Sequence, residues 1–237
     1  MRALLLGYGE IGSSIYAIFH ERHDILIHDV DKGYDCADNL DNIDVLLVAI
    51  PYSENFVSIV REFQEKTQAK GTLVFSTVAI GTCSALNACH FPVEGKHPNI
   101  ANDMRNNRHH WLGGDNKEVV EFLSITGIPF HQLAKPEYTE FLKLRSTAYY
   151  GVCIEFARYC KQVADAIGLG EIYIQQYDEA YNLVVHHRGD ARYIRPVLMA
   201  PNGMIGGHCV VPNAKILDSQ FPSPFLKMIY EKKPGIS

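Results

Sequence analysis

Three stretches of the chain combine residue types that can do chemistry. Gly7-Tyr8-Gly9-Glu10-Ile11-Gly12 is a GxGxxG run. In that spacing the first glycine permits a tight turn, the second lets a pyrophosphate approach the backbone, and the third lets a helix pack closely on a strand. The anion would sit at the N-terminus of the following helix. About 20 residues on stands Asp29, where a carboxylate can accept hydrogen bonds from both hydroxyls of a ribose and would repel a 2′-phosphate. The pattern favours NAD over NADP. A glycine-rich turn that serves only strand–helix packing is the competing reading. The second stretch is Gly203-Met204-Ile205-Gly206-Gly207-His208-Cys209. Paired glycines bring backbone N–H groups close to the cysteine, and His208 beside it favours the thiolate. Such a cysteine can add to an aldehyde as a thiohemiacetal, from which hydride loss gives a thioester. A buried thiol in a tight turn competes with that reading. The third stretch gathers Arg188, Arg192 and Arg195 just upstream. It suggests guanidinium forks for a phosphate or carboxylate on a substrate, against a merely solvated basic face.

The elements that must position these residues can be read from periodicity. Residues 2–6 form a short apolar strand ending in the glycine turn, followed by a helix with Ile11, Ile15, Ile18 and Phe19 on one face. Strands are expected at 24–28, 45–50 (stopped by Pro51) and 72–76, with a helix over 54–66. Weaker strands follow near 91–93, 110–112 and 129–132, with a helix over 116–124. This βαβ alternation predicts a parallel sheet covered on both faces. On that sheet Ala49, Ile50 and Pro51, at the end of the third strand, join residues 7–12 and Asp29 as the expected cofactor contacts.

Beyond Pro136 the pattern changes to one long helix over 137–167. Tyr149, Cys153, Phe156, Cys160, Val163 and Ile167 recur along it at alternating four- and three-residue spacing. A helix of roughly 45 Å exceeds what the rest of the chain needs to cover, so part of it is expected to meet a second copy. Gly168 and Gly170 end it, a second helix spans 171–185, and the proline-containing tail breaks into short elements. The fold class is therefore α/β: a Rossmann-type parallel sheet domain over 1–134, then a small all-helical domain over 135–237.

Composition bounds the function. The chain has 237 residues, 47% hydrophobic and 21% charged, with 22 basic against 27 acidic residues for a net charge of −5. That suits a globular protein and gives no electrostatic footprint for nucleic acid or an anionic membrane. No run approaches the ~18 apolar residues of a membrane span, and 3–6 is too short for a signal-peptide core. The six cysteines form no CxxC pair, and no HxH or HxxxH pair points to a metal. The expectation is a cytoplasmic protein with reduced thiols and no metal. Its ligands would be small molecules, with neither nucleic acid nor membrane as partner.

These motifs resemble the UDP-glucose/GDP-mannose dehydrogenase family. Residues 203–209 are similar to its GxGGHCxPxD segment, with one extra residue after the first glycine, and Asp190, Arg192 and Ile194 look like the approach to it. Ser76-Thr77-Val78-Ala79-Ile80-Gly81-Thr82 is similar to the family's STVPxGT loop, which touches nicotinamide and substrate, so the resemblance implies a cofactor contact by Thr77. Glu140-Phe141-Leu142-Lys143 is similar to its E-L-x-K segment. The resemblance implies a catalytic Cys209 and Lys143, the lysine stabilising oxyanion charge. It also implies substrate contacts by Arg192, Arg195, His208 and Glu94, the last a candidate for the family's glutamate.

Two departures stand at catalytic positions: Thr147 where the family has Asn, and Asn213 where it has Asp. Both can hold a water, but neither can replace a carboxylate as general base. His97, His186, His187 and His208 are candidate substitutes. The chain also ends about where the family's C-terminal nucleotide-sugar domain would begin. The expectation is an NAD-dependent oxidoreductase acting on the CH–OH group of a polar, anionic, sugar-type substrate, paired as a homodimer through 137–167. The alternatives are a two-electron enzyme resembling the 6-phosphogluconate and 3-hydroxyacid dehydrogenases, and a dinucleotide-binding module without turnover.

Overall fold

The computed structural model describes residues 1–35, 40–95, 98–106, 109–201, 203, 205 and 209–231. Arg2–Leu6 forms β1, and its alternation divides the core: Ala3 and Leu5 go to one face of the sheet, Leu4 and Leu6 to the other. The glycine turn leads into α1 (Glu10–Phe19), which buries Ile15, Ile18 and Phe19. β2 (Asp24–His28) follows, then β3 (Val45–Val48), α2 (Phe56–Thr67) and β4 (Gly71–Val74). Every residue of β3 and β4 is buried, which is why both read as unbroken apolar runs instead of alternating ones. A single turn, α3 (Thr82–Ala85), precedes β5 (Cys89–His90), α4 (Ile100–Asn106), β6 (His110–Gly113), α5 (Lys117–Thr126) and β7 (Phe130–Leu133). Asn116 caps α5 by accepting from Val119 N at 3.1 Å, and Gly127, at φ +74°, stops it.

The strands make one seven-stranded sheet in the order β2-β1-β3-β4-β5-β6-β7. Two features correct the sequence expectation. The sheet is parallel except where β5 meets β6, an antiparallel step carried by the single pair His90↔Gly113. The fifth strand occupies Cys89–His90, where 91–93 was expected. Phe91 N still reaches Val74 O at 2.8 Å, but Pro92 has no N–H to continue the ladder.

The remainder is helical among the described residues: α6 (Pro136–Ile167), α7 (Glu171–His187), α8 (Val210–Gln220) and α9 (Pro224–Tyr230). The chain forms two compact units, Met1–Lys143 and Leu144–Ser237, so the division falls inside α6 and not before it. The first turns of α6 belong to the sheet unit because their side chains bond to it. Thr139 Oγ1 lies 2.9 Å from His90 Nδ1, and Glu137 accepts from Ser84 Oγ at 2.6 Å.

In the second unit α6 buries Leu144, Ala148, Gly151 and Glu155. A Cβ on Gly151 would lie 2.8 Å from Val210 and 2.9 Å from Ile229, so a residue without a side chain is what lets α8 and α9 pack there. The apolar stripe read from the sequence lies elsewhere on the helix. Tyr149, Phe156, Val163 and Ile167 are exposed, and Cys153 and Cys160 are half-buried. Among the described residues of the stretch between α7 and α8 the one regular element is a short 3₁₀ turn, Ala191–Tyr193, and polar anchors hold the rest. The Asn182 amide donates to Arg195 O and accepts from Arg195 N at 2.8 and 2.9 Å, Glu171 accepts from Ala200 N at 2.9 Å, and Arg158 donates to Gly203 O. No helix among the described residues is long and apolar enough to cross a membrane.

Candidate functional site

The chain leaves β1 for the sheet edge at β2 and returns to β3 on the other side of β1, so the strand order reverses at β1/β3. A crevice outside the carboxyl ends of the strands opens at such a point. Gly7 sits there at φ +89°, and a Cβ on it would lie 2.8 Å from the Ala49 carbonyl oxygen. A Cβ on Gly12 would lie 2.0 Å from Gly7 O, closer than any side chain permits, so α1 rests directly on the turn. Gly9 is the opposite case: a Cβ there would meet nothing within 4 Å. It is the N-cap residue of α1, and no side chain caps the helix. The helix N-terminus at Gly9 thus has open space beside it, where a pyrophosphate could approach the backbone. Glu10 itself is exposed.

Asp29 follows β2, and backbone N–H groups hold its carboxylate from two sides. Tyr8 N donates to Oδ2 at 2.6 Å and Lys32 N to Oδ1 at 3.2 Å. Each oxygen retains a lone pair for a ribose hydroxyl. Tyr34 bridges back to Asp29 and meets Tyr8 edge-on at 4.9 Å. At the end of β3, Ala49 N bonds to Leu6 O at 2.8 Å, Ile50 O accepts from Ser76 Oγ at 2.6 Å, and Pro51 is exposed. Ser76 thereby fixes the start of the segment carrying half-buried Thr77.

The far end of that segment is held by a residue whose role the sequence did not disclose. Glu140, fully buried, accepts from Gly81 N at 2.6 Å and from Cys83 N at 2.8 Å. Burial raises its pKa, and the two N–H bonds oppose the rise. Glu140 stands in the E-L-x-K-like segment, so it was visible as a motif residue. Its partners lie far away in the chain, and no local periodicity reveals them.

One turn on, Lys143 Nζ donates to Val93 O at 2.5 Å, next to half-buried Glu94. His90, fully buried, lies between Thr139 Oγ1 and Ser76 O, the latter at 3.2 Å. Burial first, and then the charge of Lys143, push its pKa down to about 3, while the Ser76 bond acts against them. His90 is therefore neutral. Burial also raises the thiol pKa of Cys83 well above its usual value and that of Cys89 to about 11, which marks both as inert.

In the second unit the two departures from the family pattern bond to each other. Asn213 Nδ2 donates to Thr147 Oγ1 at 3.2 Å, and Thr147 Oγ1 donates to Leu144 O at 3.0 Å. Cys209 is exposed at the N-cap position of α8, its carbonyl accepting from Asn213 N at 3.1 Å. His97 and His208, with Gly206 and Gly207, lie outside the described residues. Arg192 is exposed and paired with Asp190 at 2.8 and 2.9 Å, and Arg195 is paired with Asp178 at 3.4 Å.

This architecture, a Rossmann-type sheet unit followed by a helical unit entered through one long helix, is that of UDP-sugar and GDP-mannose dehydrogenases. UDP-D-ManNAc dehydrogenase from Pyrococcus horikoshii superposes with a TM-score of 0.77 at 16% identity, covering 97% of this chain and 66% of that one. GDP-mannose dehydrogenase from Pseudomonas aeruginosa gives 0.66 at 17%, covering 97% and 67%. The 3-hydroxyisobutyrate dehydrogenase of Mycobacterium tuberculosis gives 0.68 at 13%, covering 95% and 90%. The chain thus spans about two thirds of the nucleotide-sugar enzymes it resembles. No protein-family model and no curated protein sequence matches it. At these identities the likeness shows the fold alone.

Proposed function

We propose that this chain is an NAD-dependent oxidoreductase acting on the CH–OH group of a polar, anionic, sugar-type substrate. The observation that carries the reading is the turn of residues 7–12, closed at Gly7 and Gly12, open at Gly9, with Asp29 tied beside it. The amides of Glu10, Ile11 and Gly12 would receive the pyrophosphate, and Asp29 the adenosine ribose. Its fixed carboxylate disfavours NADP. Ala49, Ile50, Pro51 and Thr77 would line the path toward the ends of β3 and β4. NAD supplies a hydride acceptor when bound. In this reading Lys143 stabilises oxyanion charge, and Cys209 adds to an aldehyde as a thiohemiacetal. Arg192, Arg195, His208 and Glu94 bind the substrate. A second copy covers the aromatic side chains exposed on α6, making a homodimer through 137–167. The setting is cytoplasmic, with neither nucleic acid nor membrane as partner.

One observation favours a second reading. The bond between Asn213 and Thr147 ties up the two side chains that would have to position a water, and neither can act as a base near neutral pH. This supports a single two-electron step without a cysteine nucleophile, or dinucleotide binding without turnover. The deciding experiment follows NADH absorbance with NAD⁺ and pooled nucleotide sugars, sugar phosphates and hydroxy acids, with Cys209→Ala in parallel. Turnover lost in the variant supports the cysteine-dependent dehydrogenase. Turnover retained supports the two-electron enzyme, and NADH binding without any turnover supports the module.

A further inference from the structure

The three arginines that the sequence groups together have separate fates in the structure. Arg192 spends two nitrogens on Asp190, and Arg195 pairs with Asp178 and lies 3.6 Å over the Tyr181 ring. Arg188, exposed at the C-cap of α7, has no side-chain hydrogen bond or ion pair among the described residues. It borders a cavity of about 440 Å³ lined by Tyr181, Val184, Val185, Arg188, Asp190 and Tyr193. That volume falls within the range of small-molecule sites.

We propose that this cavity binds a small organic anion with a flat apolar body, an aryl or heterocyclic phosphate or carboxylate, whose charge is held by Arg188. The valines offer apolar contact and the exposed Tyr193 offers ring surface, while Arg195 already lies over the Tyr181 ring. The one carboxylate in the lining, Asp190, is covered by the bidentate Arg192 and opposes an incoming anion only weakly. The C-terminal end of α7 carries partial negative charge, so a bare anion gains little there. Ring and charge must act together, which is why the ligand needs both. The site lies wholly in the second unit and does not rest on the cofactor reading.

The test titrates phenyl phosphate, benzoate, inorganic phosphate and benzyl alcohol into the full chain, read by calorimetry and by amide NMR shifts. Phenyl phosphate or benzoate should bind about tenfold or more tightly than inorganic phosphate or benzyl alcohol. The better of the two identifies the head group. Shifts should centre on residues 181–193. Arg188→Gln should weaken binding about tenfold. Tyr193→Ala should weaken it as well. Both variants should keep the melting temperature and NADH affinity, which report folding apart from the site. Equal binding by Arg188→Gln and the native chain, or inorganic phosphate binding as well as the aryl anions, would overturn the proposal. So would a changed association state in Arg188→Gln with no ligand effect, which would make the cavity a contact between copies.

Discussion

The turn at residues 7–12 and the Thr147–Asn213 pair are both places where the family resemblance puts function, yet they are built differently. The turn is made of backbone and of missing side chains: a Cβ at Gly7 or Gly12 would collide with backbone, whereas one at Gly9 would meet nothing. The pair is made of side chains, and those present bond to each other. A site defined by sterics keeps its shape only while its residues stay the same. A site defined by side-chain chemistry can change purpose and still pack well.

Gly12→Val attacks the first region and should have the largest effect. Its Cβ would collide with the Gly7 carbonyl, so the turn must open, at a cost of about 3 kcal/mol or more. Loss of NADH fluorescence enhancement together with a large drop in Tm is expected. Unchanged NADH binding would refute the turn as the cofactor site.

Acidification probes the buried His90 between Ser76 and Thr139. The pKa of His90 is about 3 in the folded chain against an ordinary value of 6.5. Between those values the unfolded chain takes up a proton that the folded one refuses, so the contribution is complete above about pH 6.5 and is lost as pH falls. The slope is at most ~1.4 kcal/mol per pH unit. Glu140, whose pKa is raised, works in the opposite sense at the acid end. Urea titrations at stepped pH should show the loss, and His90→Gln, although less stable, should flatten it.

Asp29→Ala should weaken NADH binding about tenfold and narrow its advantage over NADPH, read by competitive titration. Asn213→Ala should have the smallest effect. It removes one neutral hydrogen bond, worth about 1 kcal/mol, lowers Tm by a few degrees and leaves NADH affinity untouched. Any change in NADH affinity there would erase the contrast between the two regions.

How much was legible follows the same division. β1 and β2 fall where their apolar runs end in turn residues, and the long helix starts at its proline. β5 was misplaced because Phe91 and Val93 look like strand residues, while Pro92 between them ends the ladder. The antiparallel step at β6 has no local signature, since both directions give the same alternation. Of the site, the glycines and Asp29 were readable from spacing. The clamp by Glu140 and the isolation of Arg188 depend on contacts between residues distant in sequence or on competition among neighbouring charges. Neither leaves a period to detect.

The hydrogen bonds at Thr147 have a direction. Its single hydroxyl proton goes to the Leu144 carbonyl, so position 213 must present a donor, as the asparagine amide does. An ionised aspartate there would set two acceptors against each other unless Thr147 turned its proton around and abandoned Leu144. The two positions are therefore epistatic. A library sampling one site at a time would score Asn213→Asp as damage, and only paired replacement at 147 and 213 would reveal whether a carboxylate can be seated there.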